Sequence, residues 1–231
     1  MYLPIEDCQI IKTWSVLGMR GTGSDDVAVH DAFVPAHRTF PFIPEFKPGT
    51  HFQGSLYRFP LIGIVAGAIP PVMLASARQA VDAVFRLAQE KTPFGSATLL
   101  RERASTQAKL AQAEAALRSA RALLYESISQ VWEAVLAGES PSLTQRADLL
   151  LAAANATSSA AQAVELPYSV AGISGIYTRT SLERHFRDVE VLKQHAFTYN
   201  LYCPATRLRG RRAKHGQVVC AVLVLAVCPA H

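Results

Sequence analysis

The stretch WSVLGMRGTGSDDV, Trp14 to Val27, decides how the first part of this chain is read. It reads as a strand, a tight glycine-rich turn and a second strand, with Asp25 and Asp26 in a turn. Glycines in such a turn let a bulky group approach the backbone closely, because no Cβ stands in the way. Moving outward, Val27, Val29, Phe33 and Val34 give short apolar beats between polar positions. Pro35 ends a strand there, since proline cannot continue a ladder. Residues 1–40 therefore read as β-rich. Residues 41–59 contain Pro41, Pro44, Pro48, Gly49 and Gly54 and read as a linker.

After Pro60 the texture becomes alanine-rich helix. Leu74, Ala77, Val81, Val84, Phe85 and Ala88 recur at helical steps, and Pro70-Pro71 should kink this helix or mark its true first turn. Leu110, Ala113, Leu117, Leu124, Ile128, Val131 and Val135 define a longer second helix, which Gly138 and Pro141 close. Ser142 caps a third, running to about Leu166 with Leu150, Ala154, Thr157, Ala161 and Val164 on one side; Pro167 should stop it. Gly172 and Gly175 make a loop, and a fourth helix starts near Ser181. Four amphipathic segments with short connections predict an antiparallel bundle.

The formal net charge is +5 among 231 residues. Arg207, Arg209, Arg211, Arg212 and Lys214 supply five positive charges near the C-terminus, and no acid follows Glu190. Removing those five from +5 leaves a neutral body, so basicity belongs to the tail and a nucleic-acid partner is not expected. Cys8, Cys203, Cys220 and Cys228 form no CxxC pair, so neither a metal site nor a disulfide framework is expected. The N-terminus lacks the pattern of a secretory signal. The apolar run Val218 to Cys228 is shorter than the roughly 20 residues a bilayer needs. These readings predict a cytoplasmic protein with no membrane partner.

Several residues carry alternative readings. Arg20 to Ser24 are either a decorated β-turn or a contact for flavin or phosphate through backbone N–H groups and the Thr22 and Ser24 hydroxyls. Trp14 is either core or a ring stacked on an aromatic cofactor. Lys91, in KTPFG, is either a solvated helix end or a phosphate ligand. In LERHFRDV, His185 and Asp188 stand at i, i+3 and Arg184 and Asp188 at i, i+4, so local pairing on a charged face is the simple expectation. His195, between Val191-Leu192 and Ala196-Phe197, reads as partly buried. It is either a hydrogen-bonded core residue or an acid/base working near neutral pH.

Taken in order, Trp14, Gly18, Arg20 to Ser24, Phe94-Gly95, Gln107 to Ala111 and Glu183 to Asp188 resemble the acyl-CoA dehydrogenase superfamily over roughly residues 10 to 205. The likeness looks closest to its branch of two-component flavin-dependent monooxygenases, which hydroxylate aromatic or sulfur-containing substrates with reduced flavin from a separate reductase. The resemblance implies a mainly α fold. Residues 1–40 would be a remnant of the middle β-domain, 41–59 a linker, 60–205 the C-terminal four-helix bundle and 206–231 an atypical basic and then apolar tail. An N-terminal helical domain and the first β-strands would be missing, and a frameshift or read-through would fit the tail.

The same resemblance implies FAD or FMN as cofactor, a flavin reductase as partner and a homo-oligomer, tetrameric in the family. It places Trp14, Thr22 and Ser24 near the flavin. It aligns Lys91 and Phe94 with an Arg-x-x-Phe-Gly element that meets flavin phosphate across a subunit interface; Lys in place of Arg turns a bidentate fork into a point charge. Arg187 and Asp188 match the Arg-Asp pair ahead of the catalytic loop and count with the cofactor-binding set; no metal ligand is implied. Common dehydrogenases follow that pair with Tyr-Glu-Gly-Thr, whose Glu removes a proton. Here His195-Ala196-Phe197-Thr198 stands instead. The monooxygenase branch carries a histidine there to assist substrate deprotonation, and His195 matches it. Two alternatives follow: an acyl-CoA dehydrogenase acting on the CH–CH group of an acyl-CoA with its base elsewhere, and an inactive helical fragment acting only in association.

Overall fold

The computed structural model describes residues 1–39 and 49–195. The tail 206–231, the start of the linker and Cys203, Cys220 and Cys228 lie outside the described residues. Helices α1 (Leu61–Glu90), α2 (Ala104–Leu136), α3 (Leu143–Ala171) and α4 (Leu182–Leu192) form the bundle. Ahead of them, β1 (Gln9–Ile11) pairs antiparallel with β2 (Asp26–Ala28), Ile10 facing Val27.

Side-chain contacts fix the helix directions. Space beside Gly63, at the start of α1, is filled by Leu149 at the start of α3; Lys91, just past α1, reaches Ala171 at the end of α3. α1 and α3 therefore run the same way. Lys109 in the first turns of α2 bonds Ser169 near the end of α3, and Gly67 of α1 faces Ile128 late in α2, so α2 runs opposite to both. α1, α2 and α3 are therefore antiparallel in sequence, as the short connections predict.

α3 is the central helix. Ala147, Ala152, Ala153, Ala154, Ala156, Ala160 and Ala163 are buried around most of its circumference. Methyl side chains let α1 and α2 approach from both sides, and the polar Ser158, Gln162 and Glu165 are left at the surface. Ser142 opens it with a reciprocal capping box: its Oγ accepts from the Gln145 N–H while the Gln145 side chain accepts from the Ser142 N–H. Gly138 closes α2 at φ 81°, with its own N–H on the Val135 carbonyl and the Glu139 N–H on Ala134.

Several sequence expectations are corrected. α1 starts at Leu61 and runs through Pro70-Pro71, so those prolines do not mark its first turn; α3 runs through Pro167 to Ala171. Each internal proline forfeits a hydrogen bond and strains the helix by about 3 kcal/mol. Pro70 and Pro167 are both fully buried, and packing along helices of about 30 residues outweighs that penalty. Phe85 is 42% exposed rather than core. The expected strand before the glycine-rich turn lies earlier, at Gln9–Ile11. Trp14 to Ser24 is instead an irregular excursion between the paired strands, with a short 3-10 turn at Arg20–Thr22. Asp26 opens β2 rather than sitting in a turn, and Phe33-Val34 lies outside any strand. Residues 1–39 thus hold little regular strand. By length and composition α1 would suffice to cross a bilayer; in this fold it is a bundle helix packed on α2, α3 and α4.

Candidate functional site

The excursion Trp14–Ser24 is built around Met19. Met19 sits at φ 53°, a left-handed conformation that a residue with a Cβ adopts only when its neighbours hold it there. Its carbonyl accepts from the Trp14 indole N–H at 3.0 Å, the Thr22 hydroxyl at 2.8 Å and the Thr22 N–H at 3.1 Å. Its own N–H donates to Asp188 Oδ1 at 2.6 Å, across 169 residues of sequence.

Asp25 braces the other side. Its Oδ1 accepts the Thr13 and Trp14 N–H groups at 3.1 and 2.9 Å, and its Oδ2 meets Lys12 Nζ at 2.8 Å. The Lys12 ammonium, with the Trp14 N–H, holds the Asp25 carboxyl below its ordinary value. Two carboxylates thus set the Trp14–Ser24 loop, one local and one on α4.

α4 presents the second half of the site. Arg187 is gripped by Glu183, Nε to Oε2 at 2.7 Å and Nη2 to Oε1 at 3.2 Å, and its Nη1 donates to the Leu17 carbonyl at 2.6 Å. This fork holds the Glu183 carboxyl below and the Arg187 guanidinium above their ordinary values. Gly18 lies buried between these bonds. A Cβ there would fall on the Arg187 carbonyl and within 2.6 Å of the Asp188 nitrogen. The loop therefore docks backbone to backbone on α4.

The expected local pairs on α4 do not form hydrogen bonds. Asp188 goes to Met19, and His185 Nδ1 meets Ser76 Oγ of α1 at 2.9 Å. The i, i+4 pair is Glu183–Arg187 instead. Burial, with Arg184, pushes the His185 imidazole below its ordinary value, and Asp188 opposes this.

Trp14, Thr22, Arg187 and Asp188 are thus brought together, and Ser24 stands exposed on the same loop. At Gly21 and Gly23 nothing lies within 4 Å of where a Cβ would stand, so that edge of the turn is open. His195 is exposed, not partly buried. α4 ends at Leu192, and Lys193 and Gln194 turn away before it, with the His195 N–H on the Leu192 carbonyl.

Lys91 and Phe94 lie elsewhere. Lys91 Nζ donates to the Ala171 carbonyl at 2.7 Å and Ser174 Oγ at 2.9 Å, a cation on the negative end of α3. Fifteen residues of helix, about 22 Å, separate Lys91 from Ser76, the level at which α1 meets His185. Phe94 is fully exposed. Gly18, Met19, Asp25, Glu183 and the Ser76–His185 pair escaped the reading of candidate residues; only the small size of Gly18 inside the motif hinted at close approach. Among the described residues no group of His, Cys, Asp or Glu is arranged to hold a metal.

Fold and site together define a class. Residues 68–200 match the model described as acyl-CoA dehydrogenase, C-terminal domain, and the chain belongs to that family. Within it, the indole-3-acetate monooxygenase of Pseudomonas putida is 35% identical over 195 residues, covering 84% of this chain and 49% of that protein. The pigment production hydroxylase of Rhodococcus sp. is 33% identical over 205 residues, covering 84% and 51%. The crystal structure of 3-HSA hydroxylase from Rhodococcus sp. RHA1 superposes with TM-score 0.78 at 25% identity, over 89% of this chain and 53% of that one. The chain spans about half the length of these relatives.

Proposed function

We propose that the chain provides the bundle and cofactor-facing loop of the oxygenase component of a flavin-dependent monooxygenase acting on a small aromatic substrate. The observation that carries this reading is the docking of the Gly18–Met19 loop on Arg187 and Asp188. It joins the loop that carries Trp14, Thr22, Ser24 and an open glycine edge to the helix that leads to His195. These groups fit a flavin, whose reduced form, delivered by a separate reductase, would supply the activation of dioxygen. FAD and FMN are both compatible with them.

In this reading Asp25 and Asp188 fix the loop, Trp14 offers a ring face, and Thr22 and Ser24 offer hydroxyl oxygens. His195 exchanges a proton with the substrate hydroxyl or ring. An imidazole can both take and give a proton in such a step. Lys91 and the exposed Phe94 stand at the far end of α1, so any flavin they touch belongs to another copy of the chain, in keeping with a homo-oligomer. The acyl-CoA dehydrogenase alternative lacks a carboxylate at residues 195–198.

Titration of the chain with reduced FAD and reduced FMN tests the reading. Saturable binding is expected, with aromatic hydroxylation once oxygen and substrate are added. His195→Ala should lower turnover by roughly 100- to 10,000-fold with flavin affinity unchanged. Reduction of an electron-acceptor dye by an acyl-CoA, without hydroxylation, would favour the dehydrogenase instead. Absence of any flavin binding would leave the inert fragment.

A further inference from the structure

We propose that His185 and Ser76 are positioning residues that keep Asp188 on the Met19 turn, and that a proton on His185 draws Asp188 away and releases that turn. The structure shows the latched state. With His185 neutral, its Nδ1 is held by Ser76 of α1, and Asp188, one turn further along α4, is free to accept the Met19 N–H. A positive His185 needs a counter-ion. Glu183 is held by the Arg187 fork and Glu190 by Lys193. Asp188, at i+3, is the carboxylate left to answer. Moving it toward His185 removes the N–H acceptor that holds Met19 left-handed, and the Trp14 and Thr22 bonds to the Met19 carbonyl loosen together.

Burial and Arg184 favour the neutral state of His185, against Asp188 on the same helix, which favours the charged one. α1 offers the uncharged Ser76 hydroxyl, and α3 brings Tyr168, stacked on the neighbouring Phe186 at 4.3 Å. The loop adds Arg20, whose charge reaches Glu183 one turn away. Because burial and Arg184 lower the folded pKa, the latched state is fully present above the ordinary histidine value of about 6.5. It is lost as pH falls from there through the folded value. The consequence for catalysis rests on the monooxygenase reading; the latch does not.

Trp14 is the probe. The chain contains two tryptophans, so Trp132→Phe leaves Trp14 alone, and its fluorescence in the full chain is followed from pH 8 to pH 5 without flavin. A one-proton transition on the acid side of about 6.5 is expected, with helical circular dichroism constant. His185→Gln, which keeps a polar partner for Ser76 but cannot charge, should abolish it. Ser76→Ala, a milder change, should move its midpoint. A transition that survives His185→Gln, no transition in the parent, or an unchanged midpoint in Ser76→Ala would each overturn the proposal. Since no flavin is present, failure here is distinct from failure of the flavin reading.

Discussion

Gly18→Ala is expected to strip the N-terminal segment from the bundle while leaving the four helices standing. The added methyl lands on the Arg187 carbonyl and beside the Asp188 nitrogen. Both are backbone atoms within a helix, so neither can swing aside as a flexible side chain would. Overpacking costs about 1–3 kcal/mol in most cores, and a methyl driven against helix backbone belongs at the top of that range. At 1.4 kcal/mol per decade, that corresponds to roughly a 100-fold loss in docking of the loop. Lys12 and Arg20 are exposed sites for trypsin. Cleavage after them should accelerate by a similar factor, with helical circular dichroism and the melting of α1–α3 retained. A Gly18→Ala chain as resistant as the parent would mean that the loop does not rest on α4 as described.

Leu124→Ala is the corresponding test of the bundle. Leu124 is completely buried on α2, where the helix packs against α3. Removing three carbons from such a site costs about 2–5 kcal/mol, because the close-packed surroundings collapse only in part. For a domain of this size that lowers the melting temperature by about 10 °C. Ile128→Ala, one turn further on and only partly buried against the core, should cost visibly less. Equal losses at the two positions would contradict the placement of the α2 seam. Differential scanning calorimetry of both variants decides it.

The bundle was legible because its signals are local. The seven apolar positions read along α2 from Leu110 to Val135 are buried or packed on the core, and the Ser142 cap and Gly138 stop lie where the side chains require them. The prolines misled because burial of Pro70 and Pro167 outweighs a local penalty that sequence expresses strongly. The site was legible only in its membership. Trp14, Thr22, Arg187 and Asp188 stand out as parts of motifs, yet nothing in either motif says that they meet. Asp188 has an apparent partner three or four residues away in His185 or Arg184, and local pairing is the default expectation on a helix face. It bonds Met19 instead, 169 residues distant. A residue such as Met19, with no polar side chain, carries no sequence sign that its carbonyl gathers three donors. The exposure of His195 was likewise hidden, since apolar neighbours in sequence do not show where the helix stops.

The two ends of the described chain meet through the Asp188–Met19 bond. Amide hydrogen exchange over Trp14–Ser24, compared between the parent and Asp188→Ala, tests it most directly. A hydrogen bond to a carboxylate is worth about 1.5–3 kcal/mol. The account therefore predicts that protection of this loop falls by roughly 10- to 100-fold while α1, α2 and α3 exchange as before. Unchanged protection of Trp14–Ser24 in Asp188→Ala would contradict it.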